Sequence, residues 1–411
     1  MSDKQKPVKR ILLLGGNHLM TSLVEECRSM GLEVHVTDNA VDSPAKKASD
    51  RSHDVSVFDV PAILELIREH GINGVLCGFV DSLLPSYYEI CRYANLPCYI
   101  SDVRQIAITI NKAKLKKELS KFSIPVLKSY DDDAVPLEEF PVIVKPTDNS
   151  GSRGIKICEC QDQLASLKES ARQYSSSGEV LVERMLKAPE ATAFYYVRDG
   201  EISFLGLADR EVKPMAQGEL PLPVLYRFPS QNESAYACQL DEKVRSLIKH
   251  LGIGNGLVYM QMFFASGIFW VYEFSFRLTG SLEYKIFEKK KGLNAAKELA
   301  AFAVGLSRQE MSPSHSHSTG YNLTISCAQK DSIARLEGVD RIANHPDVIY
   351  CHVSHGEKVR QVTEPATLGL VVCRVLFFAQ SKRQFKEVVS YVKKNFKIIA
   401  DDGSGIPFHT V

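Results

Sequence analysis

The chain of 411 residues carries 50 Lys and Arg against 49 Asp and Glu, a formal charge of +1, with 24% charged and 45% hydrophobic residues. That mix excludes a disordered chain and a protein that grips nucleic acid by broad phosphate neutralisation. The length suffices for two or three domains, each with its own core. No apolar run approaches the ~20 residues that span a bilayer. The N-terminal MSDKQKPVKR leads straight into apolar Ile11–Leu14 without a signal-peptide core. These features predict a cytosolic protein with no membrane or nucleic-acid partner.

Residues 9–106 alternate strand and helix. Strands are predicted at Arg10–Leu14, Glu33–Thr37 and Gly74–Cys77, with a short one near Cys98–Ile100; helices are predicted at Leu19–Met30, Ala62–His70 and Leu83–Ala94. Such alternation implies a parallel sheet with right-handed crossovers. Gly15-Gly16 after the first strand and Asp38 after the second invite a dinucleotide-binding reading, but Gly-Gly-Asn-His-Leu-Met lacks the G-x-G-x-x-G spacing. A helix at Lys112–Phe122 places Leu115, Leu119 and Phe122 on one stripe and stops at Ile124-Pro125.

From 141 to 211 the pattern changes to short strands, at Val142–Lys145, Ile155–Cys160 and Val180–Glu183, and a hairpin turning at Asp199-Gly200; the helix Asp162–Tyr174 divides them. A further hairpin spans Leu257–Arg277, and a helix follows at Ala295–Gly305. Ser307–Gly320 reads as a linker. The last ~90 residues read as a small αβ unit with the strand Gly369–Phe378 and the amphipathic helix Arg383–Phe396. The ten cysteines form no Cys-x-x-Cys pair and are expected as free thiols. His315-Ser316-His317 and Cys351-His352 with His355 fall short of a four-ligand set.

Two constellations carry chemistry. In the first, an apolar strand ends on Lys145, Pro146 stops the ladder, and the small-residue loop Asn149-Ser150-Gly151-Ser152-Arg153-Gly154 follows. Gly151 and Gly154 let backbone amides turn inward and the serines add donors, so the loop suits a phosphate beside a cationic Lys. In the second, Trp270–Arg277 alternates. Trp270, Tyr272, Phe274 and Phe276 are expected on one packed face; Val271, Glu273, Ser275 and Arg277 on the other. A turn at Ala265-Ser266-Gly267 would set Gln261 opposite Val271 and diagonal to Glu273. Polar groups in the middle of an apolar hairpin need partners, which a metal with bound phosphates would provide.

In order and spacing these residues resemble the ATP-grasp superfamily over nearly the whole chain. Residues 1–107, with the family-like stretch Gly78-Phe-Val-Asp81-Ser-Leu-Leu-Pro, resemble the α/β pre-ATP-grasp domain. Residues 108–188 resemble the small α+β lid, and 189–411 the larger antiparallel-sheet domain, with the accessory αβ unit from about 320. The resemblance implies that ATP is held by Lys112 and Lys145, by the lid loop Ser150, Gly151, Ser152 and Gly154, and by the hinge strand with Glu183, Arg184 and Leu186; Glu190 falls on the ribose. Glu273-Phe-Ser-Phe-Arg277-Leu-Thr-Gly280-Ser281 resembles the family's Glu-x-Asn-x-Arg-x-x-Gly-Gly run. That implies Mg²⁺ (or Mn²⁺) on Glu273, Ser275 and Gln261, catalysis by Arg277, and substrate contacts at Gly280 and Ser281.

By resemblance the function is an ATP-dependent ligase. It would join a small-molecule carboxylate to an amine or thiol through an acyl phosphate, as a homodimer, in the carbamoyl-phosphate-synthase-like branch often found among polysaccharide genes. The family normally has a carboxylate at Gln261 and an Asn at Ser275, so a nucleotide-binding pseudoenzyme with a regulatory or scaffold role is the alternative. A nicotinamide dehydrogenase built on residues 9–106 is the other.

Overall fold

The computed structural model describes residues 8–130, 135–149, 153–213, 222–308, 318–327, 333–354 and 371–411. Arg10–Leu14 is flanked in parallel by Glu33–Thr37 and Gly74–Cys77, and Arg51–His53 extends the sheet beyond Glu33–Thr37. Ile11 to Leu14 are fully buried because helices cover both faces, as a continuous apolar run requires. One cover comes from far along the chain. The helix Ala295–Val304 packs on Gly74–Cys77, and a Cβ on Gly74 would lie 2.2 Å from the Ala303 carbonyl oxygen. That approach is the reason the position is glycine.

A second, antiparallel sheet orders Ser129–Tyr130, Val180–Arg184, Val142–Pro146 and Lys156–Cys158. The helix Gln161–Arg172 packs on it over a small core that includes Val142, Val144, Leu164 and Val182. The largest sheet begins with Ile268–Phe276, Gly256–Ala265, Glu190–Arg198 and Glu201–Lys213. It continues through Leu222–Phe228, Thr319–Cys327 and Val371–Ala379 to Val348–Val353. Asp199 and Gly200 both have positive φ, at 50° and 85°, as the tight turn between two of these strands demands. The parallel α/β region and the two antiparallel sheets are the architecture expected from the sequence.

Several details differ from expectation. No strand forms at Cys98–Ile100; the Tyr99 amide donates to the Tyr87 hydroxyl at 3.3 Å instead of joining a ladder. Arg51–His53 and the helices Pro44–Ala48 and Val103–Ile110 had no counterpart in the periodicity, being too short to establish one. The residues after 318 are not a separate αβ unit, since four of their strands, Thr319–Cys327, Val348–Val353, Val371–Ala379 and Phe408–His409, join the largest sheet. Only Ile333–Glu337, Lys397–Ala400 and Gly405–Ile406 pair apart, beside the helix Lys382–Asn395. Residues 309–317 of the expected linker and His355 lie outside the described residues, and Thr319-Gly320 opens a strand. Cys27, Cys77, Cys91, Cys98, Cys158, Cys160, Cys238, Cys351 and Cys373 are free thiols. Among the described residues no helix is long and apolar enough to cross a membrane.

Candidate active site

A cleft of about 2410 Å³ lies between the three sheets, and most of the residues singled out from the sequence line it. Its first wall is set by the helix Lys112–Lys121. Asn111 caps it by accepting from the Lys114 amide at 3.0 Å, which puts Lys112 at the first helical position. The Lys112 amide donates to the Thr147 carbonyl at 2.8 Å and its ammonium to the Asn149 carbonyl at 2.5 Å. Both ends of Lys112 are therefore tied to the chain that leaves Lys145. Burial, with Lys145 next in weight, lowers the Lys112 ammonium to about 8.

Lys145 is buried and ion-paired to Glu183 of the adjacent strand, and Lys116 reaches the other oxygen of Glu183 at 2.5 Å. Burial pushes the Glu183 carboxyl up, but the two ammonium groups outweigh it and hold the group below its ordinary value. Glu183 thus fixes the position of Lys145, while the following Arg184, Met185 and Leu186 line the cleft directly. Lys116 was not singled out from the sequence. It stands four residues after Lys112, one helical turn on, which was the available signal.

Ser150, Gly151 and Ser152 lie outside the described residues. Gly154 has φ +74°, and a Cβ there would meet the Tyr174 side chain at 2.7 Å, so glycine is required by both conformation and space. Glu190 lines the cleft, ion-paired to Arg210 and accepting from the Tyr272 hydroxyl at 2.8 Å.

The hairpin carries a correction. Gln261 lies directly opposite Glu273, not opposite Val271, and Met262 pairs with Val271. Tyr272 is the extra residue of a β-bulge, and the bulge re-aims it. It therefore leaves the aromatic face assigned by strict alternation and lines the cleft beside Glu190 and Glu273. Glu273 is half-buried and accepts from the Tyr259 hydroxyl at 3.5 Å; desolvation first, and Asp81 next, raise its carboxyl. Such a carboxylate favours a cation beside it.

Ser275 is buried and stands outside the cleft lining, donating its hydroxyl to Asp81 at 2.7 Å. Arg277 grips the same Asp81 through Nε at 2.7 Å and Nη2 at 2.5 Å. Burial opposes its charge, but Asp81 more than compensates and the guanidinium is raised above its ordinary value. Gly280 and Ser281 line the cleft, and the Ser281 hydroxyl donates to the buried Glu283 at 2.5 Å. Among the described residues no three His, Cys, Asp or Glu side chains gather as a metal-binding group. Glu273 with Gln261 fits a Mg²⁺ whose remaining ligands are nucleotide phosphates and water.

Arg374 was missed. It lines the cleft from the strand Val371–Ala379, nine-tenths or more buried, donating to the Thr324 hydroxyl at 2.8 Å, and among the described residues its Nε has no partner. A lone Arg among Val-Val-Cys and Val-Leu-Phe-Phe was the signal. At the other end of the cleft, Asp38 accepts from the Gly16 amide at 2.6 Å and the Ala40 amide at 2.8 Å. The acid that suggested a ribose contact closes its own loop instead.

Residues 111–311 match the family described as carbamoyl-phosphate synthase L chain, ATP binding domain. The formate-dependent phosphoribosylglycinamide formyltransferase of Shigella flexneri is 29% identical over 190 residues, which is 43% of this chain and 47% of that protein. The protein of the same name from Escherichia coli O157:H7 is 28% identical over the same length. The chain thus spans about half the length of the curated relatives it matches. Two solved structures share its fold. The L-amino acid ligase from Bacillus licheniformis has a TM-score of 0.76 at 17% identity, covering 97% of this chain and 100% of that one. The biotin carboxylase domain of Hydrogenobacter thermophilus 2-oxoglutarate carboxylase, in complex with MgADP and bicarbonate, has a TM-score of 0.75 at 16% identity, covering 98% and 92%. With the sheet order and the cleft described above, these matches support an ATP-grasp superfamily protein.

Proposed function

We propose that the cleft is the centre of an ATP-dependent ligase that activates a small carboxylate as an acyl phosphate and passes the acyl group to an amine or thiol. The observation that carries this reading is the convergence of Lys112, Lys145, Glu273 and Arg277 on one cleft. The two lysines neutralise ATP phosphates, and Glu183 keeps Lys145 in place. Arg184 to Leu186 and Glu190 line the same cleft, which supports reading the first three as the adenine hinge and Glu190 as the ribose contact. Glu273, with Gln261 beside it, would hold Mg²⁺, which supplies charge neutralisation at the β- and γ-phosphates.

A carboxylate oxygen of the acid attacks the γ-phosphorus, and the bond to the β-bridging oxygen breaks to release ADP. Arg277 then stabilises the charge on the transferring group. The nucleophilic amine or thiol adds to the acyl carbon, loses its proton, and phosphate leaves. Arg374, in the same cleft and with no Nε partner among the described residues, suits an anionic oxygen of the acid or of the adduct.

The test is an ADP-release assay over panels of acids and amines, with hydroxylamine present to capture any acyl phosphate as a hydroxamate. ADP release that depends on one acid, with its hydroxamate, supports the reading; ATP binding with no ADP release across the panels overturns it. The pseudoenzyme reading is favoured by one observation, that Gln261 faces Glu273 where a second carboxylate would strengthen the metal site. That same result, binding without turnover, would select it.

A further inference from the structure

We propose that Asp81 is the positioning residue for Arg277, delivering across the cleft a carboxylate that presents the guanidinium to the transferring phosphoryl group. The inference rests on the ligase reading for its chemistry but on separate contacts for its geometry.

Asp81 opens a short helical turn, Asp81–Leu83, just after the strand Gly74–Cys77, and it is buried. Arg277 follows the hairpin strand Ile268–Phe276, 196 residues away in sequence. The carboxylate takes Nε at 2.7 Å on one oxygen and Nη2 at 2.5 Å on the other, the two parallel bonds that fix a guanidinium in its plane. Three more contacts complete the setting. Nη1 donates to the Leu278 carbonyl at 2.7 Å, the Arg277 carbon Cζ lies 5.5 Å from the centre of the Tyr259 ring, and the Ser275 hydroxyl donates to Asp81 at 2.7 Å.

Five N–H groups leave a guanidinium, and three are used here. One remains on each of Nη1 and Nη2, two donors on a group that borders the cleft. A surface Arg would have to be ordered at the moment of reaction; this one is already ordered, which is the condition for strong stabilisation of a developing anion. Ser275 has a defined part in the arrangement. Its hydroxyl donates to the Asp81 oxygen that also holds Nε, and so buttresses it.

The experiment measures trapping of orthovanadate, as a mimic of the transferring phosphoryl, by the full chain with ADP and Mg²⁺. Asp81→Asn keeps the shape of the side chain and removes its charge. We expect ADP affinity to stay within about twofold, which also reports a folded cleft, while vanadate trapping weakens about tenfold or more. Arg277→Lys should weaken it comparably, and adding Asp81→Asn to Arg277→Lys should cost less than about twofold more, because the two act as a unit. In ADP-release assays Asp81→Asn should lower kcat and leave KM for ATP unchanged. Vanadate held as tightly by Asp81→Asn as by the parent overturns the proposal, as does a full second loss in the Arg277→Lys background. A parent that traps no vanadate overturns it too, because Arg277 would then have no phosphoryl contact to support. Trapping needs no acid, so the proposal is decided even if no acid supports ADP release and the ligase reading falls.

Discussion

Two lysines on the same wall of the cleft are distinguished by their surroundings. Lys145 is paired with the Glu183 carboxylate; the half-buried Lys112 donates to the Asn149 carbonyl, and desolvation, with Lys145 next in weight, lowers it to about 8. Lys145→Ala should weaken a non-hydrolysable ATP analogue at least tenfold, about 1.4 kcal/mol, by calorimetric titration. Equal affinities would remove Lys145 from the site. Lys112 sets a pH dependence whose sign follows from its lowered value. Between about 8 and the ordinary 10.5 the free folded protein leaves this amine neutral while the unfolded chain protonates it, so its contribution to stability rises with pH across that window. Nucleotide phosphates need the charged form. ATP affinity should therefore fall as pH rises through about 8, and binding at pH 8 to 9 should take up a proton, visible as a buffer-dependent heat. In Lys112→Ala both effects should vanish.

At the scale of the element, the hairpin Gly256–Ala265 and Ile268–Phe276 decides how the metal side of the site is built. Glu273 and Gln261 face each other, so a carboxylate introduced at 261 would stand directly across from the first. Gln261→Glu should lower the Mg²⁺ concentration at half-saturation in the ADP-release assay, because each extra ligand charge attracts the cation in a partly desolvated cleft. Unchanged Mg²⁺ dependence with lost activity would place Gln261 in substrate binding or packing.

This hairpin also shows what the residues announced and what they did not. Strict alternation put Glu273 and Arg277 on a polar face, and the apolar run before Lys145 announced a strand ending on a cation. Both are local patterns of period two. The bulge at Tyr272 was not legible, because one extra residue changes no composition and only the partner strand reveals it. The partnership of Asp81 with Ser275 and Arg277 was hidden for another reason: it joins residues nearly 200 positions apart, and a spacing rule reaches no further than one element. Arg374 could have been read, since a single guanidinium inside an apolar strand needs an account.

For the whole molecule, the notable packing is that of the helix Ala295–Val304 on the N-terminal sheet. Gly74 meets the Ala303 backbone so closely that any side chain must push the two apart. Gly74→Ala should lower the unfolding free energy by about 1–3 kcal/mol in urea titration, the usual cost of overpacking. A smaller effect would mean that the helix shifts without loss.

The same contact governs how the chain can be divided. A fragment spanning 111–311, the stretch matched by the family, would keep the helix but lose the sheet it covers, leaving buried residues such as Leu299, Ala300 and Ala303 facing water. It would lose Asp81 as well, and Arg277 would be left as a buried guanidinium without its carboxylate. Cutting at 110 therefore does not release a portable nucleotide-binding module. It splits one interior in two, and the expected product is a fragment that aggregates through its uncovered helix, whatever it retains of the lysines that would hold the phosphates.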